Sequence, residues 1–408
     1  MSDFISPEVW SGFLLGFKYL YAVMPIWLPA IFLVLVFKAW VDYKRAQFWQ
    51  KQDSILLEIR LPKEITKSPV AMEMVYNAFF HTVGESTFID RIFRGKTRNW
   101  FSLELVSLGG VVHFYIWTRV NSRNLIESQI YSQYPGIEIH EATDYTKPYY
   151  YNPKVNNVWG CEWKLTSPDA MPIKTYIDYG MEKDPKEEFK IDPMTPFIEF
   201  LGSLTSGHTV WMQVIIRAHR KRRLADIFGE KEDTWKEEAK KEIDKIIEKF
   251  RPKDKDKQFR MPTKGETDTI TALERSVSKL PFDVGIRTIY IAENDKFNPS
   301  NIGGLTGAFR QYSYESLNGF APTGGTTGFD DFWVDPTGRV KERRKKELIE
   351  GYKARQIFHS PYKGFGKPFV LNTEELATIF HFPGSVAATP TFGRVPSKKS
   401  EAPANLPL

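Results

Sequence analysis

The stretch WFSLELVSLGGVVHFYIWT, residues 100–118, decides the fold. Large apolar residues occupy every second position on both sides of a glycine pair. They are Phe101, Leu103, Leu105, Val112, Phe114 and Ile116. A period of two is typical of a strand that packs one face on a core. Gly109 and Gly110 predict a tight turn, because glycine adopts positive φ at little cost. The stretch therefore predicts an antiparallel hairpin.

A strand and a helix flank this hairpin on each side. Ser54–Leu61 alternates and predicts a strand, and Ser68-Pro69 opens a helix with apolar residues three and four positions apart. Downstream, Asn121–Tyr134 predicts a second helix, and Ile137 begins a fourth strand. The order β-α-β-β-α-β over residues 54–145 predicts a ferredoxin-like domain, which is an antiparallel sheet with two helices on one face.

The following region predicts a second α+β domain. Strand-like runs lie at Trp159–Leu165, Ile173–Tyr179, Thr209–Arg217 and Val284–Ala292, and helix-like runs lie at Pro193–Leu204 and Thr267–Leu280. This order suits a second ferredoxin-like unit with a helical insertion at residues 225–262. The pattern leaves one of its four strands unplaced.

The insertion carries a heavily charged helix. Residues 231–257 contain ten basic and nine acidic residues, and Pro252 ends the helix. An apolar stripe recurs at helical spacing through Trp235, Ile243, Ile246 and Phe250. This stripe either packs on its own domain or docks on another chain.

The most apolar segment is close to the N-terminus. Tyr19–Phe37 is nineteen residues without a formal charge, close to the ~20 that cross a bilayer core. Trp27 and Trp40 suit the two interfaces. Because proline disrupts a helix interior, we expect the helix to begin near Pro25 and to kink at Pro29.

A secretory signal peptide and a buried core helix are the alternatives to a membrane anchor. A signal peptide ends in a small-residue cleavage site. Here the run is followed instead by Lys38, Asp42, Lys44, Arg45 and Lys51. We therefore predict a retained single-pass anchor in the inner membrane. The excess of basic residues after the run predicts a cytoplasmic location for the rest of the chain and an N-terminus outside.

These patterns predict four segments. They are a membrane anchor at residues 1–45, a ferredoxin-like domain at 52–148, a second α+β domain at 149–384 and a Pro/Ser-rich linker or tail at 385–408. The hydrophobic and charged fractions, 42% and 26%, are near those of globular proteins. We therefore expect neither wholesale disorder nor a multi-span membrane protein.

The sequence lacks the motifs of common enzymes. A phosphate loop is absent, since Gly95-Lys96-Thr97 has Asp90 at the position of the first glycine. The single cysteine, Cys161, excludes a multi-cysteine metal site, and no histidine has a second histidine within helical reach. We therefore expect no catalytic residues, no metal and no cofactor.

Basic clusters are the candidate binding sites. The net charge is +6, which favours anionic partners without specifying nucleic acid. The residues of the two main clusters are Arg217, Arg220, Lys221, Arg222 and Arg223, and Arg343, Arg344, Lys345 and Lys346. A third cluster comprises Arg91, Arg94, Lys96 and Arg98. Such clusters either contact phosphates of nucleic acid or lipid, or form a solvated charged face.

Four stretches resemble a known family. They are Phe101–Thr118, Leu125–Ile139 (LIESQIYSQYPGIEI), Pro368–Gly384 (PFVLNTEELATIFHFPG) and Thr389–Pro407 (TPTFGRVPSKKSEAPANLP). Together they resemble the membrane-anchored region that precedes the motor domain in type IV secretion and conjugation-type ATPases. The resemblance implies a RecA-like motor after this region. No phosphate loop occurs before Leu408, so we expect the motor on a separate chain or lost by truncation.

The resemblance suggests a non-catalytic scaffold or anchor for a motor ATPase in a type IV secretion or DNA-transfer-like machine. The partners that it implies are the membrane, the motor or other machine subunits, other copies of the chain in an oligomer, and DNA. The alternative is a membrane-tethered module that binds nucleic acid or anionic lipid through the basic clusters.

Overall fold

The computed structural model describes residues 7–62, 67–82, 84–85, 87–182, 191–220, 234–250, 260–314, 317–323, 325–326, 335–360 and 366–384. Its helices are α1 (Pro7–Gln50), α2 (Val70–Phe79), α3 (Phe88–Ile92), α4 (Arg123–Gln133), α5 (Thr195–Gly202), α6 (Thr234–Phe250), α7 (Lys264–Ser278), α8 (Ser300–Ala308), α9 (Arg339–Lys353) and α10 (Thr373–Ile379). Its strands are β1 (Ser54–Arg60), β2 (Phe101–Leu108), β3 (Val111–Arg119), β4 (Glu138–Glu141), β5 (Asn156–Leu165), β6 (His208–Ala218), β7 (Pro281–Glu293), β8 (Phe320–Pro322) and β9 (Phe369–Asn372).

The chain divides into two compact units. The first comprises Met1–Gln52 and Val83–Thr97, and therefore contains α1 and α3. The second comprises Asp53–Thr82 and Arg98–Leu408 and contains the sheet. Residues 83–97 thus leave the sheet between α2 and β2 and join the N-terminal helix.

The N-terminal helix differs from the sequence expectation. Helix α1 begins at Pro7, well before Pro25, and continues through both Pro25 and Pro29. Each proline removes only one backbone hydrogen bond, and the bonds on either side of it hold the helix together. The expected start near Pro25 is therefore wrong.

The first half of the sheet has the predicted ferredoxin-like topology. Its strands lie in the order β4-β1-β3-β2, and all neighbouring strands are antiparallel. Gly109 and Gly110 have φ values of +61° and +93° in the β2–β3 turn, which explains the glycine pair. Helices α2 and α4 pack against each other over the apolar face of the four strands.

The second half of the sheet repeats this order as β8-β5-β7-β6. The strand that the sequence pattern left unplaced is β8, in which only three residues pair with Trp163–Leu165 of β5. A run of three residues is too short to show a period of two. Helices α6 and α7 lie between β6 and β7 in the chain, so the insertion extends beyond the predicted residues 225–262 and includes α7.

The expected strand at Ile173–Tyr179 is wrong. This segment has no strand hydrogen bonds and ends in a turn. The Ile173 amide donates to Glu375 Oε1 and the Tyr176 amide to Thr378 Oγ1, at 2.9 and 3.0 Å. Side chains of α10 therefore satisfy the backbone that a neighbouring strand would otherwise pair.

The two halves form one continuous antiparallel sheet. Strand β2 pairs with β6 over eight residues, from Phe101 with Ile216 to Leu108 with Thr209. Each of these strands is the second strand of its own half, so the two halves meet edge to edge. This pairing removes two exposed strand edges.

Both faces of the central strands are buried. Helices α2, α4, α5, α8 and α10 enclose one apolar core with the strands. Helix α9 packs on β5, and its Tyr352 ring lies 5.2 Å from the ring of Trp211 on β6. Consequently, seven of the eight residues of β2 are buried, although its sequence alternates.

Candidate functional site

Helix α1 carries a long exposed apolar surface. Lys18–Gln50 is long and apolar enough to span a membrane, and none of its most apolar 18-residue window is buried within the chain. Ile26, Phe32 and Leu33 expose 73%, 66% and 69% of their surface. Such a surface is unfavourable in water and is typical of a membrane span or of a signal sequence.

Aromatic and basic side chains follow the apolar part of α1. Trp40 and Tyr43 are exposed, and Lys44 Nζ lies 4.7 Å from the centre of the Trp40 ring. Tryptophan and tyrosine favour the membrane–water interface, and lysine favours the headgroup side of it. This end of α1 therefore has the composition of an interfacial belt.

The segment of residues 87–97 is organised around one carboxylate. Thr87 caps α3 by accepting a hydrogen bond from the Asp90 amide at 3.1 Å, and its hydroxyl donates to Asp90 Oδ2 at 2.9 Å. Arg94 and Lys96 pair with Asp90 Oδ1 at 3.0 and 3.2 Å. The hydrogen bond from Thr87 and those from the two cations lower the pKa of Asp90 well below its usual range.

The same segment is fixed to α1 at two points. Gly95 has a φ of +64°, and a Cβ on it would lie 2.2 Å from the carbonyl oxygen of Lys44. The indole of Trp49 donates to Thr97 Oγ1 at 2.9 Å. A glycine is therefore required where the two backbones meet.

The structure places the first basic cluster partly inside the sheet. Arg217 is buried on β6, and its Nε donates to Asp283 Oδ2 on β7 at 2.8 Å. Arg98, from the third cluster, is also buried and lies 3.5 Å from Asp283. Arg220 is partly exposed, and Lys221, Arg222 and Arg223 lie outside the described residues.

Asp283 neutralises these buried cations. Burial opposes its ionisation, but Arg217, His219 and Arg98 outweigh burial and lower the pKa of Asp283 well below its usual range. Arg217 is therefore half of a buried ion pair and is not presented to solvent. Its partner on the next strand is 66 residues away in the chain, so no local sequence pattern indicated it.

The second basic cluster is divided by α9. Lys345 is buried and donates to Glu342 Oε1 at 3.0 Å and to Asn157 Oδ1 at 3.2 Å. Arg343 and Lys346 face solvent, and Arg344 is partly exposed. The helix therefore presents two or three of the four predicted cations on its outer side.

A buried ionic cluster joins the end of α9 to the sheet. Arg355 Nε donates to Glu104 Oε1 at 2.9 Å, and its Nη1 donates to Asp144 Oδ2 at 2.6 Å. Tyr145 donates to Glu104 Oε2 at 2.8 Å. Burial alone would lower the pKa of Arg355, but Glu104 and Asp144 raise it above its usual value.

Sequence reasoning missed this cluster, although a signal was present. Glu104 lies on the face of β2 opposite Leu103 and Leu105. In a sheet that is covered by helices on one face only, this opposite face would be exposed to water. Gln213 occupies the facing position on β6 and Arg355 follows α9. Polar residues on the same face of the two central strands, β2 and β6, together with the basic helix α9, would have indicated that α9 covers this face of the sheet. The cluster holds α9 in place and contains no arrangement that suggests catalysis.

The two ends of the stripe on α6, Trp235 and Phe250, are buried within the second unit. Trp235 is buried with Ala239, Ala170 and Val370, and its indole donates to the carbonyl oxygen of Asp169 at 2.9 Å. Phe250 is also buried. Ile243 and Ile246 are partly exposed, on a helix that packs against α7.

Groups of acidic, histidine and cysteine side chains that could hold a metal ion do not occur among the residues that the structure describes. Cys161 is buried on β5, and burial raises the pKa of its thiol. This cysteine behaves as a small apolar residue.

Comparison with known proteins adds one finding. The model of a family described as "Domain of unknown function (DUF8128)" matches residues 43–393. The match begins just after the most apolar part of α1 and includes both halves of the sheet. No curated protein matches the chain.

Proposed function

We propose that this chain, which belongs to the DUF8128 family of uncharacterised domains, is a non-catalytic, membrane-anchored component of a type IV secretion or DNA-transfer-like machine. Its N-terminus is outside, and its sheet is in the cytoplasm. The sheet serves as the scaffold that holds a motor ATPase at the inner membrane.

The exposed apolar surface of α1 carries this proposal. No residue of its most apolar window is buried by the rest of the chain. Apolar burial contributes about 25 cal/mol per Å², so an uncovered surface of this length strongly favours a bilayer. The basic residues 38, 44, 45 and 51 favour the cytoplasmic side for the end that leads into the sheet.

The resemblance to secretion ATPases supports the scaffold role. Pro368–Gly384 resembles the stretch that precedes their motor, and it forms β9 and α10. Strand β9 pairs with β7, while α10 packs against α2 in the other half of the sheet. The hydroxyl of Tyr76 donates to the carbonyl oxygen of Phe380 at 2.7 Å. A motor that follows or docks here is therefore held by both halves.

A second function has one observation in its favour. Arg343 and Lys346 are exposed on α9, where they are accessible to phosphates of nucleic acid. In this alternative the chain is a membrane-tethered nucleic-acid-binding module. Its affinity for DNA would fall steeply with salt, and R343Q with K346Q would reduce the logarithmic slope by roughly two.

Co-purification from native membranes tests the scaffold role. The tagged full chain is solubilised after mild cross-linking, and an unrelated single-span protein with the same tag is the control. We expect a RecA-like ATPase with a phosphate loop in near-stoichiometric amount, identified by mass spectrometry. We expect the purified chain alone to hydrolyse no ATP above a blank.

Two results contradict this proposal. Absence of any such ATPase from the cross-linked complex removes the scaffold role. ATP turnover that a point substitution in this chain abolishes would make the chain itself an enzyme.

A further inference from the structure

The segment of residues 87–97 has an inverted distribution of polarity. Phe88, Ile89 and Phe93 expose 48%, 57% and 56% of their surface, whereas Asp90 exposes only 7%. Soluble proteins bury large apolar side chains and expose carboxylates. The reverse arrangement in one structured turn indicates that its outer face meets an apolar environment.

This face lies beside the membrane end of α1. Thr97 contacts Trp49, and Gly95 lies against Lys44 and Arg45. Residues that precede Gly95 in the segment therefore lie closer to the apolar part of α1. Helix α3 is among these residues and packs against α1. Phe37 is partly buried, whereas residues 31–36 and 38–40 are exposed.

The distances suit the headgroup region of a bilayer. Lys44 follows the last residue of the uncharged run, Phe37, by seven positions, which is about 10 Å along a helix. The interfacial layer on each side of the hydrocarbon core is about 5 to 8 Å thick. Helix α3 lies nearer to the membrane span than Gly95 does. It is therefore at the depth where amphipathic helices bind.

The charges of this region complement an anionic surface. Residues 38–51 and 87–97 together contain seven basic and two acidic residues. Arg94 and Lys96 expose 63% and 41% of their side chains while they pair with Asp90. Each basic residue near an anionic leaflet contributes about 1 kcal/mol of attraction.

We propose that residues 87–97 form a membrane foot, in which Phe88, Ile89 and Phe93 insert at the headgroup–acyl boundary of an anionic bilayer. Arg91, Arg94 and Lys96 contact the lipid phosphates. This proposal rests on the membrane anchoring proposed above. The foot fixes the direction in which α1 leaves the bilayer, because a second contact beside the span restricts rotation and tilt of the helix.

Depth-dependent fluorescence quenching tests the foot. The full chain is reconstituted in lipid nanodiscs with an environment-sensitive fluorophore on I89C, L33C or M261C. Leu33 lies within the span, and Met261 is an exposed residue of the sheet unit. Cys161 is buried, and the chain without an added cysteine is the labelling control. Lipids carry nitroxides near the headgroup or deep in the acyl chain.

We expect headgroup-level nitroxides to quench I89C most, deep nitroxides to quench L33C most, and neither to quench M261C. In F88S with F93S, quenching at I89C should be lost while quenching at L33C is unchanged. In R91Q with R94Q and K96Q, the preference for discs that contain phosphatidylserine over neutral discs should be lost.

The outcomes separate the two proposals. Absence of quenching at L33C overturns the membrane span itself. Quenching at L33C with an I89C signal equal to that of M261C overturns the foot alone. Equal quenching at I89C in neutral and anionic discs overturns its recognition of anionic lipid.

Discussion

At the scale of single residues, Gly95 lies where the proposed membrane foot meets the backbone of α1. A Cβ at this position would meet the Lys44 carbonyl oxygen at 2.2 Å, and the backbone is left-handed. We expect G95A to separate the foot from α1, with a local cost above the ~1 kcal/mol of a left-handed alanine. Hydrogen exchange of peptides within residues 87–97 should accelerate about tenfold or more.

Gly180 provides the matched control for this substitution. Its φ of +72° is similar, but nothing lies within 4 Å of an added Cβ. G180A should therefore show the backbone cost alone in its own turn. If exchange in the foot is the same in G95A as in the wild type, the close contact with Lys44 is wrong.

A second residue-scale prediction concerns Asp283. Its folded pKa is lowered, so its stabilising contribution is complete above the unfolded value of about 4 and is lost as the pH falls below it. Removing one partner of a buried pair costs about 3 to 5 kcal/mol. D283N should therefore strongly lower the thermal stability of the solubilised chain between roughly pH 5 and 7. In this range the Asp283 carboxyl of the wild type is ionised in both the folded and the unfolded chain.

The difference between D283N and wild type should shrink progressively as the pH falls below about 4, because Asp283 of the unfolded chain is protonated there while the folded pKa is lower. D268N, which changes an exposed carboxylate, should alter stability little at any pH. A difference for D283N that stays constant or grows as the pH falls contradicts the ion pair.

At the scale of elements, the charged helix α6 packs against the rest of the second unit through a few apolar side chains. Trp235 and Ala239 pack with Ala170 and Val370, and the helix as a whole packs against α7. The double substitution I243D with I246D should lower the melting temperature of the second unit, because it places two carboxylates against a packed face. The expected loss is several kcal/mol, and thermal unfolding of the solubilised chain measures it.

Lys241 and Lys245 are exposed on the same helix, so K241D with K245D is the matched control and should cost little. Normal stability of I243D with I246D, together with loss of a co-purifying partner, would show that the stripe docks on another chain. Normal stability and normal assembly would show that the stripe contributes to neither.

Sequence patterns predicted the elements whose partners are close in the chain. The β2–β3 hairpin follows from alternation around Gly109-Gly110. Asn372 and Glu375, three positions apart in the chain, form a capping box at the start of α10, with each side chain bonded to the other's amide. Strand β8 and the segment Ile173–Tyr179 were not predictable, because pairing with β5 and side chains of α10, more than 150 residues away, determine their conformations.

The candidate sites were less predictable than the fold. Arg217 and Lys345 belong to basic clusters in the sequence, but Asp283 and Asn157 on neighbouring elements pair with them. The exposed apolar face of α3 was not predicted either. Five residues are too few for a helical period, and only the packing of Gly95 against α1 shows where this turn lies.

At the scale of the whole molecule, two ferredoxin-like halves share one sheet. Pairing of β2 with β6, together with β9 and α10, connects residues from both halves. The edge-to-edge pairing could not be predicted, since β2 and β6 belong to different halves and no local sequence pattern links them.

The most direct test of the membrane-anchored arrangement is the accessibility of single cysteines on the two sides of α1. An impermeant thiol reagent is applied to intact cells whose outer envelope has been permeabilised, with S2C or K51C in the full chain. A single span with the sheet in the cytoplasm predicts labelling of S2C in intact cells, and labelling of K51C only after the inner membrane is opened. Labelling of K51C alone in intact cells, or of both cysteines, would contradict a single span with the sheet in the cytoplasm.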